Sequence, residues 1–147
     1  MNSNRFSSAI TALVNAFYNE TLDKGSCTKC AVGNIVHHSL NKINPELTGF
    51  AGEWTKVFMT PIGFTEQITT PDRYYGTSKA VIDSTNYSWQ ELALVEKAFE
   101  SNTKQGDLSI DNMYNGLMAV VDVLCEIEGI ESTNTKELFS KHSKCTI

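Results

Sequence analysis

Between positions 110 and 128 the apolar residues return every third or fourth place, at Met113, Leu117, Val120, Val121 and Leu124, and Gly129 comes next. That spacing matches the 3.6-residue period of a helix and not the two-residue period of a strand. It predicts a helix of about five turns with one face to bury and a glycine stop. The same rhythm recurs in Phe6, Ile10, Leu13, Val14 and Phe17, which predicts a helix near 5–22 ending at Gly25. A second helix is expected over 28–40, capped by Ser26 or Thr28. A third is expected over 88–102, where Ser88-Trp89-Gln90-Glu91 is a capping box ahead of Leu92, Val95 and Phe99. A short helix is expected near 135–142.

The middle is less regular. Residues 41–48, with Pro45, are polar and separate the second helix from the aromatic stretch beyond it. Glu53 to Phe58 reads as a short helix and 78–84 as another. Thr60-Pro61-Ile62-Gly63 is a turn signal, and Phe64-Thr65-Glu66-Gln67-Ile68-Thr69-Thr70 is rich in strand formers. The expected fold is therefore mostly α: one domain over 1–147, a bundle of five or six helices, with a small irregular or β element at about 59–73.

A chain of 147 residues needs no disulfide or metal to fold. Its net charge of −5, with two arginines and ten scattered lysines, argues against a nucleic-acid partner, since phosphate neutralisation needs clustered cations. No apolar run approaches the length of a bilayer span, and the first 16 residues lack the apolar block of a signal peptide. A cytoplasmic, reducing location is expected.

Chemistry is suggested most clearly by Cys27-Thr28-Lys29-Cys30, at the first turn of the second helix. A helix N-terminus favours thiolates, and Cys-x-x-Cys is also half of a zinc site. His142 and Cys145 would complete a tetrahedral set of Cys27, Cys30, His142 and Cys145. His37 sits on the same helix face but roughly 10 Å along the axis from Cys30, too far to share an ion. Packing alone is the plain alternative for these thiols, as it is for Cys125 beside the stripe of the long helix. Gly33-Asn34 and Asn115-Gly116 place a glycine and an amide inside helices, consistent with close helix contact or with Asn34 and Asn115 lining a pocket. Between Trp54 and Trp89 lie Phe58, Phe64, Tyr74, Tyr75 and Tyr87, with Lys56, Arg73 and Lys79 among them. Such rings and cations could stack a base and hold a phosphate. No phosphate loop, nucleophile elbow, zinc-protease motif or calcium loop is present.

Two blocks carry a resemblance: Leu13-Val14-Asn15-Ala16-Phe17-Tyr18 leading to Cys27-Thr28-Lys29-Cys30-Ala31-Val32-Gly33-Asn34-Ile35, and Asn115-Gly116-Leu117-Met118-Ala119-Val120-Val121-Asp122-Val123-Leu124-Cys125. With 88–99, they resemble a group of short uncharacterised proteins of bacterial genomes and their phages, over about half of the chain. Members of that group are sometimes labelled as a subunit of a sodium-translocating NADH–quinone reductase. This chain has no flavin or NAD fingerprint and no four-cysteine ferredoxin run, so the resemblance brings no activity with it. It implies that Cys27, Cys30, Asn34, Asn115 and Gly116 share one site or one packing contact, and it does not reach His142 and Cys145.

The leading expectation is a non-enzymatic binding protein, phage- or prophage-encoded, that sequesters a small molecule such as a nucleotide at Asn34, Trp54, Arg73, Tyr75 and Asn115. The alternatives are a zinc-stabilised protein-interaction module built on Cys27 and Cys30, and a thiol redox protein. The partner is a small molecule or a protein, not a membrane.

Overall fold

A computed structural model describes residues 3–23, 28–58, 75–104 and 106–139. The chain is mostly helical, as the periodicity requires. Its elements run α1 (Ser3–Tyr18), α2 (Ala31–Ile43), a 3-10 segment (Pro45–Trp54), α3 (Thr55–Phe58), α4 (Gly76–Asp83), α5 (Trp89–Ser101), α6 (Ile110–Glu128) and α7 (Thr133–Lys136). Among the described residues five helices have eight residues or more, and α3 and α7 are single turns. The expected β element at 59–73 lies outside the described residues.

The four long helices close a ring in which α1 packs on α2, α2 on α5, α5 on α6 and α6 on α1. Their stripes meet inside it: Leu13 and Phe17, Val32, Ile35 and Val36, Leu92, Val95 and Phe99, and Leu117, Val120 and Leu124 are all buried. Each such side chain contributes roughly 1.5–3 kcal/mol on leaving water. The 3-10 segment and α4 form a second layer over α2, sealed by Trp54, Val57, Val81 and Ile82. No helix of the described residues is long and apolar enough to cross a membrane.

The boundaries show what local chemistry decides. Ser88 and Glu91 form the expected reciprocal cap of α5 at 3.1 and 2.8 Å. Gly129 ends α6 at φ +73°, with the Ile130 amide reaching back to the Cys125 carbonyl. α1 stops earlier than expected. Glu20 takes the left-handed position at φ +58°, and the amides of Glu20 and Thr21 return to the carbonyls of Phe17 and Ala16. The stop is thus made by a glutamate, five residues before Gly25. α2 runs three residues past position 40, because Asn44, held extended before Pro45, both ends it and caps the 3-10 segment through the Glu46 amide. The stretch 41–48 is therefore a helix end and a 3-10 start rather than a separator. After α7 the chain returns to α1: the Tyr18 hydroxyl donates to the Leu138 carbonyl, and the Phe139 ring meets Phe17 edge-on at 5.9 Å.

Candidate functional site

The head of α2 is held by side chains rather than by a Ser or Thr cap. Cys30, not Ser26 or Thr28, is the N-cap, and its Sγ accepts the Gly33 amide at 3.3 Å. Asn34 folds back one turn, its Nδ2 donating to the carbonyls of Lys29 at 2.9 Å and Cys30 at 3.0 Å. The Lys29 carbonyl also accepts the Asp23 amide at 2.9 Å.

Beneath this cap lies Glu96 of α5, 1% exposed. Its Oε1 accepts the Val32 amide at 3.3 Å, the second free N–H of α2, while Oε2 has no hydrogen-bond partner. Burial, and then the carboxyl of Glu100 one turn on, push the Glu96 pKa up to about 9. Cys30, 2% exposed, lies beside Glu96. Burial first, then the Glu96 carboxyl, push its thiol well above the ordinary value. At neutral pH both groups mostly keep their protons, and a negative charge on either would favour the proton on the other.

The remaining expected residues are dispersed. Trp54 is 2% exposed and lies in the second-layer core, with no ring face open to a base. Tyr75 is exposed at the start of α4. Asn115 is exposed on α6 and makes no contact with the Asn34 amide, whose partners are all in its own loop. Its neighbour Gly116 is a packing position: a Cβ there would stand 2.4 Å from Thr103 Cγ2 and 3.0 Å from Phe99. Cys125 is buried at the end of the α6 stripe. Cys27, Arg73, His142 and Cys145 lie outside the described residues. Of the four expected zinc ligands only Cys30 is described, and among the described residues no three His, Cys, Asp or Glu gather as a metal ion requires.

Glu96 belongs to no motif, although the sequence does carry a signal for it. It falls four residues after Leu92 and three before Phe99, on the stripe that α5 buries. A carboxyl at such a position needs either a partner or a function. Beside the cap, the exposed faces of α1 and α2 enclose a polar groove of about 480 Å³ that includes Asn15, Asn34, His37 and Lys29. A second cleft of about 330 Å³, with Glu20 and Asp23 in its wall, adjoins it across Thr21 and Lys29. Comparison with protein-family models, with curated proteins and with solved structures finds no match to the chain.

Proposed function

We propose that this chain is a thiol redox protein that exchanges its Cys27–Cys30 dithiol with an external disulfide, Glu96 receiving the proton of Cys30. The observation that carries this reading is the Glu96 carboxyl, fully buried at the head of α2 with one oxygen unpartnered, beside a buried thiol of a Cys-x-x-Cys pair. A structural cap alone would be served by a neutral amide, whereas a carboxyl here costs desolvation of several kcal/mol when ionised.

The steps balance with a disulfide R–S–S–R′ as oxidant. The Cys27 thiolate attacks one sulfur, the S–S bond breaks, and RS⁻ leaves and is protonated by solvent. Cys30 then gives its proton to the Glu96 carboxylate, the ionised fraction of which grows as pH approaches 9, and attacks Cys27 Sγ. A Cys27–Cys30 bond forms, and R′S⁻ departs and takes a proton. Two protein thiols are oxidised and one substrate disulfide is reduced to two thiols. Cys30 is too buried to meet R–S–S–R′ itself, which leaves the first attack to Cys27. The exchange follows thiolate availability, so the second step is the one that needs a base.

The test is a quenched time course with glutathione disulfide, read by intact mass after acid trapping. Cys30→Ser should accumulate the mixed disulfide on Cys27. Glu96→Gln should resolve that species at least about tenfold more slowly than wild type at neutral pH, the range expected for loss of a general base. Equal resolution rates in wild type and Glu96→Gln would overturn the role of Glu96. Absence of any mixed disulfide would overturn the function.

A further inference from the structure

We infer that Glu100 is the outlet through which the proton of the buried Glu96 carboxyl reaches solvent, and so a positioning residue for the thiol step. The inference rests on the dithiol reading for the use of that proton and on α5 for its path. Glu96 is 1% exposed, and one of its oxygens has no hydrogen-bond partner. Its neighbours on the same face of α5 stand three and four residues away, roughly 5–6 Å between Cβ atoms. Three of them, Leu92, Ala93 and Phe99, are buried and apolar, and none can carry a proton. The fourth is Glu100, half-buried and in reach of water. From α2 the Val32 amide and the Cys30 thiol meet Glu96, and both of those residues are buried. Among the described residues, Cys30, Glu96 and Glu100 thus form a row of titratable groups that leads from a closed thiol to the surface.

A buried base needs such a path. Glu96 holds its proton up to about pH 9, so at neutral pH it must shed that proton before it can take the one on Cys30. In the step, the Glu96 O–H bond breaks and an O–H bond forms on the Glu100 carboxylate. Glu100 then gives the proton to water and returns to its anion, and no electrons change hands. A carboxyl can do this because it exists in both protonation states, whereas a side-chain amide donates and accepts without titrating. The groups that bear on the charge of Glu96, after burial, are Glu100, then Cys30 and the Val32 amide. The charge of Glu100 by itself opposes ionisation of Glu96. As a charge alone Glu100 hinders the base, and as an outlet it serves it, so its removal separates the two roles by sign.

The test measures the rate of proton release from Glu96 in the reduced full-length protein, labelled with 13C at the glutamate side-chain carboxyls. Exchange between the protonated and ionised Glu96 resonances is read by NMR relaxation at one fixed pH, near the Glu96 midpoint of about 9. Glu100→Gln should slow release by about tenfold or more, the scale on which a positioned proton-transfer group acts. Glu100→Asp, which keeps a titratable group at the same place, should stay closer to wild type than to Glu100→Gln. Release as fast or faster in Glu100→Gln, the result of removing a repelling charge alone, would overturn the proposal. Glu100→Asp as slow as Glu100→Gln would overturn it too, since side-chain shape and not the carboxyl would then set the rate. The measurement involves no disulfide and no reaction of Cys27. Inert cysteines would therefore overturn the dithiol reading and leave a measured proton path intact, and a failed outlet would leave the thiol chemistry to its own assay.

Discussion

The carboxyl of Glu96 lies beside the thiol of Cys30 where α5 crosses the head of α2, one oxygen on the Val32 amide at 3.3 Å and the other on nothing. Two effects oppose each other there. The α2 N-terminus favours a negative charge by up to about 2 kcal/mol in partly buried geometries. Removing a carboxylate from water costs several kcal/mol, and Glu100 adds repulsion. Burial wins, and the Glu96 pKa rises from its ordinary 4.5 to about 9.

That shift sets a pH dependence of stability. The native state keeps a proton that the unfolded chain releases above 4.5. Glu96 therefore contributes fully at low pH, and its contribution is lost as pH rises from 4.5 through 9. The slope is up to about 1.4 kcal/mol per pH unit. Glu96→Gln, which keeps the acceptor for the Val32 amide, should flatten urea-derived stability over this window and make the variant more stable than wild type at its alkaline end. Parallel curves for the two proteins would contradict a buried protonated carboxyl.

Gly116 pits two effects against each other. Alanine gains about 1 kcal/mol of helix propensity. Its Cβ would stand 2.4 Å from Thr103 Cγ2 and 3.0 Å from Phe99, an overpacking that costs about 1–3 kcal/mol. Gly116→Ala should lower the melting temperature. Thr103→Ser removes the clashing methyl and keeps the hydroxyl bond to the Phe99 carbonyl at 2.7 Å. In a double-mutant cycle the pair should be less destabilised than the sum of the singles. Simple additivity would place the cost elsewhere.

Arg5 gathers three elements. Its Nε donates to Glu128 at 2.8 Å, its Nη1 to Glu91 at 3.2 Å and to the Asn86 carbonyl at 3.0 Å, and its guanidinium lies 4.3 Å from the Tyr87 ring centroid. Glu128 is only 3% exposed at its side chain, so Arg5→Ala would strand a nearly buried charge. A loss of about 2–4 kcal/mol is expected by chemical unfolding. Arg5→Lys should recover less than half, because an ammonium cannot serve the forked partners and the ring together. Full rescue by lysine would reduce the contact to plain charge.

Glu20 occupies the left-handed position that closes α1, at φ +58°. Glycine takes that conformation without steric cost. Glu20→Gly should raise stability by about 1 kcal/mol, read as a higher melting temperature. An unchanged or lowered value would mean that the Glu20 side chain supports the turn.

The helices are legible in the sequence because their stripes are long and their ends carry recognised residues, as at Ser88, Glu91 and Gly129. Where an end depends on an ordinary residue forced into an unusual conformation, as at Glu20, composition gives no warning. Asn44–Pro45 reads as a break in helical structure, yet it is a joint between two helical segments. The site is half legible. Cys30 stands out by spacing and Asn34 by its place beside Gly33. Asn34, however, serves the loop that precedes it and not Asn115, and the amide that α6 does bury is Asn112, which binds the main chain of Lys104 and Asp107. Trp54 groups with other aromatics by proximity in sequence, but the 3-10 segment turns it inward. Glu96 is hidden for a different reason: its meaning comes from a helix 64 residues away in sequence.

The most direct measurement is a quenched time course of oxidation of the reduced protein in glutathione redox buffers of several potentials, with disulfides mapped by peptide mass after alkylation, for wild type and Glu96→Gln at several pH values. The expected oxidised product is an internal Cys27–Cys30 bond, formed faster as pH approaches 9 in wild type and slowed at neutral pH in the variant. A Cys30 that stays a free thiol at every potential, with glutathione held on Cys27 alike in both proteins, would contradict it.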